Sequence, residues 1–470
     1  MSVENTHYGA ERIAKMLEGL KSIYFIGIGG INMSSLAHIS HNRGYVVGGS
    51  DRTRTDLTER LENEGITVNY CHCAENARDY DAFVYTVAIS EDNPEYRFAL
   101  DNGRPCISRA DYLGYIMMAY PVRIGVSGMH GKSTCTSMCA ETLIVSGADP
   151  TVLSGAQLPT MGGAYCVGEG DSFVFEACEY MDSFLDFNPT VAVVLNIEMD
   201  HVDYFKSMEQ IRRSFGKFAD IAGERGYAVY NADDGDVIEA LRSFEGNRLS
   251  FGIKNEAARL RAVNVTEHYG KYSFDIFKDG GFFCHVDLRV SGYYNIYNAL
   301  AAAGACMIAG LSADAISKGL HEFCGAGRRM EFKGYVNGGA VYDDYGHHPT
   351  EISATLGGAR AMAQGRLICV YQPHTYSRTA ALFEEFAGAF DKCDRVIFVD
   401  IYAARESNEW GVSSEGLALR IGERAVCAHS LGDAADMVSA ELGAGDIAVV
   451  MGAGDVYKTF DYMAFDTIDM

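Results

Sequence analysis

The chain is poor in proline (eight) and tryptophan (one) for its 470 residues, and it is short of positive charge. Each shortage excludes something. Sparse proline without a low-complexity tract argues against a disordered or linker-rich protein. The Ala- and Gly-rich part of the longest uncharged stretch spans residues 298–313. It falls below the ~18–20 apolar residues needed to cross a bilayer and predicts a buried core helix. The first 22 residues hold no uninterrupted apolar segment of the secretory kind. Lys and Arg total 39 against 63 Asp and Glu, a formal net charge of −24. Such a field opposes nonspecific contact with nucleic acid or an anionic membrane. A small anionic substrate stays admissible, because it needs only a local nest of N–H donors and a few cations. Cysteine is plentiful, at thirteen, but lacks paired CxxC repeats. Cys71 and Cys73 flank His72 without the four-ligand spacing of a structural zinc site, so free thiols in a reducing cytoplasm are expected. The expectation is a cytoplasmic protein with no nucleic-acid or membrane partner, monomeric or weakly homodimeric.

What the chain does have is alternation. From 22 to 118, short apolar runs alternate with helical patterns, which predicts a parallel sheet with helices on its faces. A second series starts after Pro121, changes texture at 248–290 into an antiparallel insert, and ends in helices over 295–310 and 312–323. A third α/β series follows from about 330. The fold class expected is α/β in three domains. Residues 1–118 form a Rossmann-like N-terminal domain, 119–327 a central P-loop-type domain with an antiparallel β insert, and 328–470 a Rossmann-like C-terminal domain.

Two glycine-rich loops stand out. The first, around Gly27, Gly29 and Gly30, follows a strand and opens a helix, where backbone N–H groups and the helix dipole favour phosphate. Asn32 occupies the position of the third glycine of GxGxxG. Asp51 lies about 20 residues on, placed to hold a ribose. An NAD-binding domain and a ligand-free strand–helix turn are the two readings of this stretch alone. The second loop, "GMHGKST" at 128–134, is a shortened phosphate loop with Val126 where GxxxxGK[ST] has its first glycine. Its backbone N–H groups can still converge on a phosphate chain. Lys132 can neutralise the β and γ oxygens, and Ser133 or Thr134 can ligate Mg²⁺. Nucleoside-triphosphate binding is expected, against the alternative of a chance Gly-Lys turn.

A hard cation needs more oxygen ligands. Glu176 ends one predicted strand and Glu179 follows; a second strand runs into Glu198, Asp200, His201 and Asp203. Ends of strands in a parallel sheet converge on one edge, where open α/β proteins bind ligands. Each acid alone reads as a solvated loop charge; together they form a candidate metal site.

In order along the chain, "GMHGKST", "FEACEYMDSFL", "NIEMDHVDYF", "YYNIYNALAA", "GAGRRMEFKG", "VYDDYGHHPTEI" and "QPHTYSRT" resemble the Mur ligases of peptidoglycan synthesis, over essentially the whole length. "GIGGINMSSLA", "VAISEDNPE" and "SRADYLGYIM" resemble, within that family, the members that join L-alanine to UDP-N-acetylmuramate. The resemblance implies that Gly27, Gly29, Gly30, Asn32, Met33, Ser34 and Asp51 bind the UDP-sugar. It implies that Gly128, Met129, His130, Gly131, Lys132, Ser133 and Thr134 bind ATP. ATP would phosphorylate the lactyl carboxylate, and the amine of L-alanine would attack the acyl phosphate. Two Mg²⁺ ions are implied, one on Ser133 and Glu176, the other on Glu176 and His201. Asn295, Asn298, Arg329 and Asp344 would contact the nucleotide, and Tyr345, His347, His374 and Arg378 would position the amino acid. The catalytic set implied is Lys132, Glu176, His201, Arg329, His347, His374 and Arg378, with His347, His348 or His374 as candidates to take the amine's proton. Judged by local pattern only, Asn295 and Asn298 read as helix caps, Arg328 and Arg329 as a solvated pair, and His348 as the turn before a proline-started helix. Three positions depart from the family pattern: Thr375 in "PHTY", Cys178 in "EACEY" and Tyr294 before "NIYN". The alternatives are a sister ligase for another amino acid or a recycled peptide, and a noncatalytic nucleotide-binding relative.

Overall fold

Residues 3–201, 204–404 and 406–467 are described by a computed structural model. Its short apolar runs close into three sheets. The first holds β1 (Ser22–Ile26), β2 (Val46–Ser50), β3 (Thr67–Asn69), β4 (Ala82–Tyr85) and β5 (Cys106–Ser108), all parallel, in the order β3-β2-β1-β4-β5. Every residue of β1 is buried, as befits a strand covered by helices on both faces.

The central sheet has ten strands: β6 (Val122–Ser127), β7 (Thr151–Leu158), β8 (Gly163–Cys166), β9 (Ser172–Glu176), β10 (Val191–Val194), β11 (Tyr227–Asn231), β12 (Asn247–Gly252), β13 (Leu260–His268), β14 (Lys271–Lys278) and β15 (Gly281–Ser291). Their order is β15-β14-β13-β12-β11-β10-β6-β9-β7-β8. The insert is antiparallel from β13 through β15. Its expected first strand is different: β12 pairs parallel with β11 and prolongs the parallel region. The β7–β8 hairpin, which sequence patterning did not anticipate, closes the other edge.

The third sheet contains β16 (Glu331–Val336), β17 (Gly339–Asp344), β18 (Leu367–Tyr371), β19 (Arg395–Phe398), β20 (Ala425–Cys427) and β21 (Ile447–Met451). They lie in the order β16-β17-β21-β18-β19-β20, parallel except for the β16–β17 hairpin.

The run at 298–313 forms most of the helix Tyr294–Ile308, whose residues from Asn298 to Cys306 are buried. It packs with the helix Lys132–Val145 against the central sheet. The apolar core under the first sheet continues into the central domain through Phe173, Phe175, Phe184 and Phe215. At that seam Asn188 Nδ2 donates to the Gly114 carbonyl at 3.1 Å. Among the described residues no helix is long and apolar enough to cross a membrane.

Candidate active site

The phosphate loop sits at the carboxyl end of β6, at the centre of the largest sheet. Gly128 (φ 141°) and Gly131 (φ 84°) adopt conformations open chiefly to glycine, and Gly131 caps the helix that starts at Lys132. Asn196 holds the turn: its Oδ1 accepts from His130 N at 2.8 Å and its Nδ2 donates to the His130 carbonyl at 2.9 Å. The hydroxyl-bearing Ser133 and Thr134 are buried in the first helical turn.

Lys132 folds back over the loop. Its Nζ donates to the carbonyls of Gly128 (2.6 Å) and Met129 (3.1 Å) and to Glu179 Oε1 (3.0 Å). Burial pulls its pKa down, but Glu179 outweighs that and holds it above the ordinary lysine value. The same Glu179 oxygen lies 3.3 Å from His201 Nε2. One fully buried carboxylate thus ties the loop lysine to the histidine.

β9 and β10 flank β6 on opposite sides, so the two acidic strand ends are not adjacent as expected; they embrace the loop between them. Glu176 Oε2 accepts from Gly155 N at 3.0 Å, while Oε1 has no hydrogen-bond partner among the described residues. Glu176 and His201, expected on one ion, are not brought together: His201 (φ 50°) pairs with Glu179 instead. Asp203 lies outside the described residues. The Ser133 hydroxyl and the open Glu176 oxygen are hard donors at one strand–helix edge, and His201 Nδ1 is not engaged by Glu179. This donor set fits Mg²⁺, which keeps several waters and needs few protein ligands. A tighter group of ligand-type side chains lies elsewhere, in His130, Glu198 and His348, whose donor atoms are within 4.8 Å of one another.

The third domain rests on this edge. Arg329 Nη2 donates to Ser133 Oγ at 3.2 Å, so Arg329 is not the solvated residue local pattern suggested. Arg328 is half-buried against Asp343 and the Tyr345 ring. Asp344 accepts from Met330 N (2.9 Å) and Gly346 N (2.8 Å), and burial, against the pull of Arg329, pushes its pKa up to about 6. His130 bridges the domains, with Nε2 2.9 Å from Glu198 and Nδ1 3.2 Å from Glu351. Burial lowers its pKa, yet the two carboxylates win and raise it to about 9. Thr350 Oγ1 donates to Glu198 at 2.7 Å, and the half-buried Arg378 reaches Oδ1 of the buried Asp200 at 3.2 Å.

His347 lies beside Glu351 (3.6 Å) and the Tyr345 carbonyl (3.1 Å), and burial pushes its pKa down to about 4. His348 occupies the cap of the helix Pro349–Met362, accepting from Thr350 N at 3.4 Å, as its place before a proline suggested. His374 stacks on Tyr402 with ring centroids 5.5 Å apart. Thr375, which departs from the family pattern, has φ 68° and donates its N–H to the Tyr402 carbonyl.

Between the central and third domains lies a cleft of about 570 Å³ lined by His130, Gly131, Thr134, Asn298, Arg329 and Asp344, among others. Asn295 and Asn298 are not helix caps. The cap is Tyr293; Asn295 Nδ2 donates to the Ser291 carbonyl, and Asn298 Nδ2 donates to Asn295 Oδ1. A Cβ placed on Gly131 would come within 2.5 Å of Asn298 Oδ1, so glycine is required there for close approach as well as for φ. Tyr294 borders both this cleft and a second one of about 620 Å³ behind it, which Asn295 also lines.

The first loop closes on its own acid. Asp51 Oδ2 accepts from Gly29 N at 2.9 Å, and Gly27 (φ 85°) and Ile28 donate their N–H groups to the Ser50 carbonyl. Gly30 precedes the helix Ile31–Asn42. Met33 is buried in the core, and Ser34 Oγ donates to the Ile31 carbonyl at 2.9 Å. Asn32 faces the central domain, sharing a small cavity with Glu176 and Cys178. Burial pushes the Cys178 thiol up to about 11.

Sequence reasoning passed over Asn196, Glu351 and Arg109 as site residues. Glu351 had a signal, since its side chain accepts from the backbone N–H groups of His347 and His348 and completes the capping box after "HHPT". Asn196 and Arg109 had none: the His130 backbone that Asn196 holds is remote in sequence, and Arg109 reaches its cavity only across the domain seam.

Three α/β sheets, a phosphate loop at the centre of the middle one and a third domain resting on that loop define a three-domain phosphate-loop protein. Family profiles then cover the chain in three consecutive stretches: Mur ligase family, catalytic domain at 22–121; Mur ligase middle domain at 126–306; and Mur ligase, glutamate ligase domain at 328–454. The chain belongs to the Mur ligase family. The UDP-N-acetylmuramate–L-alanine ligase of Acetivibrio thermocellus is 44% identical over 442 residues, covering 93% of this chain and 94% of that protein. The enzyme of the same name from Clostridium tetani is 40% identical, covering 95% of this chain and 98% of its own. Among solved structures, UDP-N-acetylmuramate-alanine ligase from Thermotoga maritima superposes with a TM-score of 0.77 at 25% identity, over 94% of this chain and 98% of that one. A murein peptide ligase from Psychrobacter arcticus shares the fold at 23% identity, with a TM-score of 0.69 over the same shares.

Proposed function

We propose that this chain is an ATP-dependent ligase joining L-alanine to the lactyl carboxylate of UDP-N-acetylmuramate, a step in peptidoglycan precursor synthesis. The observation that carries this is the meeting of three domains around one phosphate loop: Asn32 shares a cavity with Glu176, Arg329 reaches Ser133, and Arg378 reaches Asp200. The L-alanine ligases that match nine-tenths of the chain point to the acceptor and the amino acid. Residues 1–118 would hold the UDP-sugar, 119–327 ATP and Mg²⁺, and 328–470 the amino acid. The setting is the cytoplasm, the working unit a monomer or weak homodimer.

In this reading a carboxylate oxygen of the sugar attacks the γ-phosphorus, ADP leaves, and an acyl phosphate forms. The neutral amine of alanine then attacks the acyl carbon, and inorganic phosphate leaves with the bonding electrons. Both steps crowd anionic oxygens together, so preorganised cations and N–H donors carry most of the catalysis. Lys132 exchanges Glu179 for phosphate oxygens, and Arg329 reaches the same oxygens from the third domain. Mg²⁺, which Ser133 and Glu176 would hold, with His201 Nδ1 apart from them as a donor to a second ion, would supply further charge neutralisation. His347, neutral at pH 7, places no second cation beside the ammonium. His374, whose buried Nδ1 has no hydrogen-bond partner among the described residues, is the candidate to take the ammonium proton. Resting the third domain on the loop keeps water from the acyl phosphate.

The test is phosphate release from ATP in the presence of UDP-N-acetylmuramate, scanning L-alanine, glycine, L-serine and a tripeptide. Release that requires L-alanine, with the amide product identified by mass, is expected. Release with the tripeptide alone would reassign the chain to peptide recycling, and silence with nucleotide bound would make it a noncatalytic relative.

A further inference from the structure

Arg109 begins the helix Arg109–Met117 directly after β5, in the first domain. Its guanidinium is turned toward the central domain, where it lines a cavity of about 100 Å³ with Asn32, Ser154, Glu176, Cys178 and Ser183. Among the described residues this guanidinium has neither a hydrogen bond nor an ion pair, although arginine carries five donors. The nearest carboxylate that influences it, Asp186, is bonded to His7 at 2.5 Å. The side chain is half-buried at the domain seam, and a partly desolvated cation without an acceptor is less favourable there unless a ligand supplies one.

The surroundings narrow the ligand. Asn32 comes from the helix start of the first glycine loop, so the cavity adjoins the place proposed for the diphosphate of the UDP-sugar. Glu176 lies across the cavity with one oxygen open toward the proposed metal. An anion seated here therefore faces a fixed cation on the first-domain side and the phosphate-loop edge on the other. A planar carboxylate matches the paired N–H donors of a guanidinium. We propose that Arg109 binds the lactyl carboxylate of the UDP-sugar and presents it to the γ-phosphate. Charge on that carboxylate would otherwise be repelled by Glu176, and Arg109 offsets the repulsion without neutralising the attacking oxygen by protonation. This inference rests on the function proposed above.

The experiment compares binding of UDP-N-acetylmuramate with binding of UDP-N-acetylglucosamine, which lacks the lactyl carboxylate, by calorimetry on the full chain. Wild type should prefer the muramyl sugar, and Arg109→Met should lose that preference, weakening the muramyl sugar by about ten- to a hundredfold and leaving the other within twofold. Arg109→Lys should restore only part of the discrimination, because an ammonium lacks the bidentate fork. Equal discrimination in wild type and Arg109→Met would overturn the proposal, as would equal weakening of both sugars, which marks a structural partner of Asp186. Wild type that binds neither sugar would instead overturn the functional reading on which it stands. Unchanged affinity for ATP in Arg109→Met keeps the fold and the phosphate loop out of the comparison.

Discussion

Lys132 and Glu179 show how a side chain proposed for catalysis can be a structural liability. Removing only the lysine leaves a buried carboxylate with His201 as its remaining partner. Breaking one side of a buried pair costs about 3–5 kcal/mol, whereas replacing both partners is far milder. Lys132→Met should therefore abolish turnover and lower the unfolding free energy by a few kcal/mol. The double variant Lys132→Met/Glu179→Gln should regain most of the stability and none of the activity. Denaturant titration beside the phosphate-release assay checks this, and recovered activity would remove Lys132 from the phosphate site. His130 makes a pH-dependent contact of the opposite sign from a carboxylate. Its folded pKa of about 9 lies above its ordinary value of 6.5, so the stabilisation is fully present below pH 6.5. It is lost as pH rises through 9, amounting to at most about 3 kcal/mol. Unfolding midpoints measured from pH 6 to 10 should fall across that window in wild type, and the fall should vanish in His130→Gln.

The strand–loop–helix unit from β6 to Val145 was largely legible. An apolar run followed by "GMHGKST" and a helix-forming stretch permits little else, and the helix starts at Lys132. Its packing was not legible. Asn295 and Asn298 resembled caps because asparagine favours that position, yet the preceding residues already lie in the turn and both amides face inward. Gly131→Ala forces an L residue to φ 84° and sets its methyl against Asn298. ATP affinity should fall at least tenfold and the unfolding midpoint should drop as well, both readable by calorimetry; Gly131→Ala with wild-type affinity would show that the loop tolerates opening. β12 was misassigned for a related reason. Alternation along one strand marks which face is buried but not the direction of its neighbour, and β12 is parallel to β11 because a helix, not a hairpin, joins them.

Across the whole molecule, the third domain is held to the central one by Arg378–Asp200, Arg329–Ser133, Thr350–Glu198 and the His130 bridge. Asp200 is buried, and the half-buried Arg378 keeps its carboxyl well below the usual range against the upward push of burial. Asp200→Asn should loosen the domains, seen as a larger radius of gyration in solution scattering, and should raise the KM for the amino acid more than that for ATP. A double-mutant cycle with Arg378→Met should give a coupling of about 1–3 kcal/mol. No coupling would mean that the two side chains act independently.

By itself, the sequence determined the α/β class, the three units and both glycine loops, and it marked Lys132, Glu176 and His201 as candidates for chemistry, whereas Arg329 entered only through the family resemblance. All but Arg329 follow from local rules: apolar period, glycine at positive φ, and polar groups at strand ends. Tertiary structure alone decided that Glu179, and not Glu176, pairs with His201. It decided that Asp51 secures its own loop, that His130 links two domains, and that Arg109 faces Glu176 across a domain seam. The widest of those pairings, His130–Glu351, joins residues 221 positions apart. No periodicity along a chain encodes which remote charge a buried group will meet; packing of the sheets does, by bringing their edges together and excluding the water that would otherwise solvate each charge alone.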